Sequence, residues 1–403
     1  MQYIYENNPS MKKNVNVLMV TGDFPPMPKG IGDYSYHLSK ELSQMGVPVR
    51  VITTHAELPQ DSQAEIDYGM DVRRIISIWS LKEVNKIFEC IINEIHNSYT
   101  VVNIQYYCPD TYGRRPMINL LPFILRLRFS NVRVVVTIHG FWEQSLFFRL
   151  RTIPMLRSAH GIIYVDRQNQ KLLSQYSGLP DSHLQFIPIS ANILPVDCTL
   201  KLRDEWRKSI KIESADMVVG FFGAIGQPKG FIYLIESIKM LREEYKYPLI
   251  LLAIGGFHSY GENDAYQTEI KRIIEDSSVK SWVRIIQEPD HKGCSQWLHC
   301  CDMAVFPFIK GVSENSGSTL AALFHELPVV VTEGPKQSRN FYKDLEVPVI
   351  TSENVAELAE AMLNVLKSSE KQKTLKQAAR RLKSRLGWDN IAKQTMAFYE
   401  ALF

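Results

Sequence analysis

Residues 217–230 read MVVGFFGAIGQPKG, an apolar run that ends on Gly223 and opens into a loop carrying Gly226, Lys229 and Gly230. The chain has already done this once, at 14–32, NVNVLMVTGDFPPMPKGIG. In both places a short apolar run reads as a buried strand, a glycine-bearing loop follows, and an amphipathic helix comes next. After the first loop Ile31, Tyr34, Leu38, Leu42 and Met45 fall on one helical face, Gly46 and Pro48 stop the helix, and 49–53 forms the next strand. After the second, Leu234, Ile235, Ile238 and Leu241 share a face. Further apolar runs at 101–105, 133–139 and 162–165 continue the first set, and those at 248–256, 283–286, 303–306 and 328–331 continue the second. Strands alternating with helices predict parallel βαβ units, and the restart predicts two doubly wound, Rossmann-like α/β domains. The polar, charged stretch 194–214 is the expected junction. Ligands of such sheets bind beyond the carboxyl ends of the strands, which directs attention to the loops there.

The gross numbers agree with this layout. At 403 residues the chain exceeds what one core supports and suits two domains. A net charge of +3 is too small to imply a nucleic-acid protein. Cys90, Cys108, Cys198, Cys294, Cys300 and Cys301 form no CxxC pair, so they read as reduced cytosolic thiols, not as a zinc site or a disulfide framework. The first thirteen residues are polar and lack a signal-peptide core, and no apolar run approaches the ~20 residues of a membrane span. A cytoplasmic protein is expected, at most peripheral on a membrane.

Three loops offer chemistry. In the first, Gly30 and Gly32 let backbone approach a ligand, and the helix start behind them presents amides to an anion. A dinucleotide site would need a third glycine where Ser35 stands and an acid closing the second strand, which ends Ile52-Thr53-Thr54, so a nicotinamide enzyme is disfavoured. A tight connection without a ligand is the other reading. In the second loop Lys229 precedes a helix, where ammonium and helix dipole would act on one phosphate, or where the lysine is simply solvated. In the third, Ser316-Gly317-Ser318-Thr319 opens a helix that buries Leu320 and Leu323, supplying anion-binding amides or caps alone.

Taken in order, PP-x(3)-GIGDYS, Asn103-Ile-Gln-Tyr106, Thr137-Ile-His-Gly140, Ile187-Pro-Ile-Ser-Ala-Asn192, FFG-x(5)-KG, Cys301-Asp302 and Leu327-Pro-Val-Val330 resemble the family-4 glycosyltransferases of GT-B fold. Trp388, heading a last helix, fits as well. The resemblance runs from about residue 15 to the end. It implies an acceptor-side domain at 1–195, a nucleotide-sugar domain at 196–386 facing it across a cleft, and a helix at 387–403 crossing back to the first. It also implies a retaining, metal-independent transfer with no cofactor. The donor is a nucleotide-diphosphate sugar, UDP favoured as the commoner nucleotide, and the acceptor a carbohydrate, lipid-linked or small-molecule hydroxyl in glycan biosynthesis. Carried over by position, His139, Lys229 and Glu314 are the catalytic candidates. Gly30, Ile31, Gly32, Gly223, Lys229, Ser316, Gly317, Ser318 and Thr319 are the donor-binding ones. Read from the sequence alone, His139 is equally a satisfied structural histidine after an apolar strand.

The pattern departs from the family in places. Ala224 stands where an arginine is usual, and Ser313 and Ala321 stand where two glutamates are usual, with Glu314 one step away. These losses motivate an alternative, a catalytically silent GT-B partner of an active transferase. No Asp-x-Asp pair occurs in the chain. Between Arg114 and Arg157 the chain also carries Arg115, Arg126, Arg128, Arg133, Arg149 and Arg151 among apolar residues, with Glu143 the one acid. Such a region fits an anionic membrane or acceptor, or a core whose arginines bury their stems.

Overall fold

The computed structural model describes residues 15–27, 29–55, 70–94, 99–107, 111–113, 116–257 and 265–403. The chain divides into two compact units, Met1–Ile189 with Trp388–Phe403, and Ser190–Gly387. The first contains seven strands, β1 Val15–Val20, β2 Val49–Thr54, β3 Asp71–Ile76, β4 Tyr99–Tyr106, β5 Val132–Ile138, β6 Gly161–Tyr164 and β7 Leu184–Phe186. They lie in the order β3-β2-β1-β4-β5-β6-β7, every neighbouring pair parallel. The second contains β8 Met217–Phe222, β9 Leu249–Gly255, β10 Val283–Gln287, β11 Met303–Phe306, β12 Val329–Thr332 and β13 Val349–Ile350, ordered β10-β9-β8-β11-β12-β13 and likewise parallel. The two doubly wound sheets expected from the sequence are there.

Why the apolar runs become strands is visible in β4 and β5. A parallel sheet is covered by helices on both faces, so its strands are buried on both. Val102, Ile104 and Tyr106 join a cluster on one face with Leu121 and Leu125 of the helix Met117–Arg128 and Met155 and Leu156 of the helix Leu146–Ser158. Val101 and Val135 join the opposite cluster, closed by Tyr34, Leu38 and Leu42 of the helix Gly30–Gln44 and by Trp388, Ile391 and Tyr399 of the helix Trp388–Ala401. Of the expected face of the first helix, Tyr34, Leu38 and Leu42 are buried and Ile31 is half-buried, while Met45 lies beyond the last helical residue and is exposed. Trp388 stacks on His37 at 5.1 Å and meets Tyr34 edge-on at 5.2 Å, which docks the last helix in the first unit.

The stretch 194–214, read from its polarity as a junction, is not one. The division falls at Ile189/Ser190, and Leu200–Ser209 is a helix of the second unit. Its Arg207 is 1% exposed and donates to the Cys300 carbonyl at 2.9 and 2.7 Å and to Asp302 at 2.9 Å. Charge that reads as solvent-facing is a buried clamp, since an arginine can be buried once its fork is matched.

Candidate functional site

In a doubly wound sheet the loops that diverge at the switch point frame a crevice. In the second unit that point lies between β8 and β11, so the loops at 223–230 and 307–316 frame it. Backbone packs them together. Ile309 N–H donates to the Pro228 carbonyl at 3.0 Å, and a Cβ on Gly230 would lie 2.0 Å from the Pro307 oxygen. Gly230 has φ 62°, the left-handed region that glycine enters without strain. It separates the 3₁₀ turn Gln227–Lys229 from the helix Phe231–Glu243. Lys229 therefore stands just ahead of the helix, in the turn that leads into it. Its Nζ lies 3.7 Å from the centre of the Phe308 ring. Burial lowers its pKa to about 8, because an ammonium partly withdrawn from water loses hydration.

The helix Gly317–Phe324 begins beside the same loop, with Ser318 Oγ 3.3 Å from where a Cβ on Gly223 would sit. Its first backbone bond is Leu320 N–H to Ser316 O at 2.9 Å, so the amides of Gly317, Ser318 and Thr319 lead the helix. Ser316 takes the N-cap position without a side-chain cap bond, and Thr319 donates to its hydroxyl at 3.1 Å. Glu314 is 7% exposed and its N–H donates to Ser338 Oγ at 3.1 Å. Tyr342 anchors the same loop by donating to the Ser313 carbonyl at 2.9 Å, and burial with the nearby Glu314 charge pushes its phenol up. Ala321 is fully buried in the helix, so this position is filled as core.

The first unit brings His139 and the first glycine loop's helix together. The switch point falls between β1 and β4, and His139 follows β5 next to β4. Tyr34 meets the His139 ring edge-on at 4.7 Å. His139 N–H donates to the Tyr106 carbonyl at 3.0 Å, and Nε2 lies 2.8 Å from Gln105 Oε1. Burial holds its pKa down at about 3, so the imidazole is neutral at ordinary pH. The first bond of the helix Gly30–Gln44 is Asp33 N–H to Lys29 O at 3.1 Å, with Ile31 and Gly32 ahead of it. Gly32 lets this turn lie against backbone, since a Cβ there would come within 3.1 Å of Phe24 N. Lys29 is occupied by Asp23, Nζ to Oδ1 2.8 Å. Pro28 of this loop lies outside the described residues.

Several participants were not singled out as site residues from the sequence, although Asn103 and Gln105 stand in one of the family-like stretches. Phe308 is marked only by following a buried strand. Asn103 and Gln105 are signalled by polar residues two apart in an otherwise apolar strand, which places both on one face. Glu143 is raised by burial and by the Asp166 charge beside it.

The arginine-rich segment divides on inspection. Arg114 and Arg115, with Cys108, lie outside the described residues. Arg149 bonds the Trp142 carbonyl, Arg151 donates to Asn119 Oδ1 at 2.9 Å, Arg157 to the Tyr176 carbonyl at 3.4 Å and Arg133 to the Leu402 carbonyl at 3.0 Å. The surface left over mixes exposed Arg126 and Arg128 with apolar residues: Phe123, Leu127, Leu146, Phe147 and Leu150 are 50–73% exposed. No helix among the described residues is long and apolar enough to cross a membrane.

The chain's matches to known proteins agree with this geometry. A model of Glycosyltransferase Family 4 matches residues 28–190, and one of glycosyl transferases group 1 matches 203–382. An uncharacterized glycosyltransferase of Methanocaldococcus jannaschii is 20% identical over 401 residues, covering 96% of this chain and 98% of its own. A glycosyltransferase from Rickettsia africae superposes with a TM-score of 0.76 at 14% identity, covering 97% of this chain and 98% of the other. Anabaena HepE, solved with UDP, superposes with a TM-score of 0.71 at 14% identity over 96% and 100% of the two chains. Fold, element order and both family models converge: the chain is a GT-B, family 4-like glycosyltransferase.

Proposed function

We propose that this glycosyltransferase moves a hexosyl group from a UDP-sugar to a hydroxyl acceptor, with retention and without a catalytic metal. The observation that carries the donor half is Lys229, a half-buried amine held on the Phe308 ring in a loop that also abuts the leading turn of Gly317–Phe324. A diphosphate entering there meets a cation whose present partner is weak and a helix start whose amides point outward. In the transfer, the bond from the sugar's anomeric carbon to the diphosphate oxygen breaks as the bond to the acceptor oxygen forms. The acceptor proton passes to the departing phosphate oxygen, and Lys229 with the amides of 317–319 steadies the charge that develops. UDP is supported by Anabaena HepE, whose structures include one with UDP-glucose. The comparisons do not favour a silent subunit.

The test is thermal stabilisation by UDP, GDP, ADP and TDP and their sugars, with chelator present. UDP is expected to raise the transition, and Lys229→Ala to weaken it ~10–150-fold, the worth of ~1.5–3 kcal/mol for a bond to a charged group. Silence across the panel would sink the donor site, and an inverted product anomer in NMR would sink retention.

Peripheral contact with a membrane is a second reading, favoured by the exposed row from Phe123 to Leu150 on two neighbouring helices of the first unit. The protein should then sediment with phosphatidylglycerol vesicles, and Leu127→Gln with Phe147→Gln should free most of it. Equal recovery of both proteins in the supernatant would dispose of the idea.

A further inference from the structure

One face of the first sheet carries a polar seam inside an apolar cluster. Asn103 and Gln105 of β4, Thr137 of β5 and Tyr399 of the helix Trp388–Ala401 are all fully buried there, alongside Met19 of β1. Buried polar groups in a core must be matched donor to acceptor, and here the matching leaves one arrangement.

A thioether sulfur only accepts, and Met19 Sδ lies 3.0 Å from Gln105 Nε2, so that end of the amide is the NH₂. The same nitrogen donates to Asn103 Oδ1 at 3.2 Å. Asn103 Oδ1 also accepts from Thr137 Oγ1 at 3.0 Å, and Asn103 Nδ2 donates to the Tyr399 phenol oxygen. The Gln105 atom facing His139 is therefore its carbonyl oxygen, 2.8 Å from Nε2. A carbonyl cannot donate, so Nε2 carries the hydrogen. A neutral imidazole has one N–H, which leaves Nδ1 as a lone pair with no hydrogen-bond partner among the described residues.

We propose that Gln105 is a positioning residue that locks His139 as the Nε2–H tautomer and presents Nδ1 as an acceptor for a hydroxyl of the bound ligand. Tyr34, edge-on to the ring, holds its plane. Such a site selects groups that donate, a sugar or alcohol hydroxyl, and turns away carboxylate and phosphate oxygens, which only accept. The inference rests on the glycosyltransferase reading for the identity of that hydroxyl and for nothing else.

Nitrogen-15 labelling of the histidines in the full chain, with the His139 signals assigned by their loss in His139→Gln, reads the tautomer directly. Near neutral pH the wild type should show a protonated Nε2 and an unprotonated Nδ1. An Nδ1–H ring, or an even mixture, would overturn the proposal, and this measurement stands whether or not any variant folds. Gln105→Leu should release the ring into a mixture, whereas Gln105→Glu, which still offers an acceptor oxygen, should keep Nε2–H. An unchanged spectrum in Gln105→Leu would equally overturn it. Lys229→Ala should leave the His139 signals as they are. Failure of every nucleotide to bind would strike the donor reading alone, and an Nδ1–H ring would strike this one alone.

Discussion

The two glycine loops occupy the same place in two sheets of the same topology and are furnished in opposite ways. In the second unit the loop's lysine rests on an aromatic face, 3.7 Å from the Phe308 ring centre, in surroundings that make its charge expensive. In the first, the loop's lysine is matched with Asp23 at 2.8 Å, and the groups behind it are neutral: an amide, another amide and an imidazole kept uncharged. A cation with a weak partner gains much from a phosphate, and a neutral seam whose one open group is an imidazole lone pair gains nothing from one. The shared topology positions loops; on the proposals made above, it is the side chains around them that fit one place to an anion and the other to a hydroxyl.

The largest effect that can break this comparison is steric. Gly230→Ala places a methyl group 2.0 Å from the Pro307 oxygen at a φ of 62°. Either the 307–309 strand exit moves or the bond from Ile309 N–H to Pro228 is lost. We expect a loss of about 3 kcal/mol or more in urea unfolding, combining left-handed strain with the broken packing. Gly32→Ala, in the first loop, meets backbone only at 3.1 Å in a helical conformation. There the helix-propensity gain of alanine offsets the squeeze, and the net change should stay within about 1 kcal/mol of zero. Equal losses at the two glycines would mean that the two loops are equally tight and that the difference between them is not one of backbone approach.

The sequence reading reaches different depths in the two sheets for the same physical reason. Apolar runs locate the interior strands, since burial on both faces leaves no room for polarity. They pass over β3, β7 and β13, all at sheet edges. β3 is DVRRII, with Arg73 exposed and Arg50 and Arg73 gathered on Asp71 at 2.5 Å, while β7 and β13 are three and two residues long. Edge position alone does not hide a strand, since β10 is an edge too and its VRIIQ was located; the charges of β3 and the shortness of β7 and β13 do. Lys229 and the 316–319 turn were singled out from glycine and hydroxyl placement at a helix start. Phe308 and Gln105 were not, because their roles are relations across loops and strands: Phe308 matters for what lies over it, and Gln105 for which of its atoms faces His139.

A finer test asks whether the aromatic face tunes Lys229. Burial lowers the amine to about 8, so the free protein carries it as ammonium below that pH and as amine above. A phosphate binds the ammonium more tightly, so nucleotide affinity should be full below about pH 8 and decline as pH rises through it. Phe308→Leu keeps the apolar surroundings and removes the ring's negative face, which was worth ~0.5–1 kcal/mol to the ammonium. The amine then loses its proton more easily, and the decline should begin roughly half a unit lower in pH, since ~1.4 kcal/mol corresponds to one unit. Well below that range, affinity should stay within about threefold of wild type. Lys29→Ala, which removes the matched lysine of the first loop, should leave the profile where it is. Titration calorimetry between neutral and moderately alkaline pH resolves the difference. A profile that moves with Lys29→Ala and not with Phe308→Leu would place the working cation in the other loop and reverse the assignment of the two.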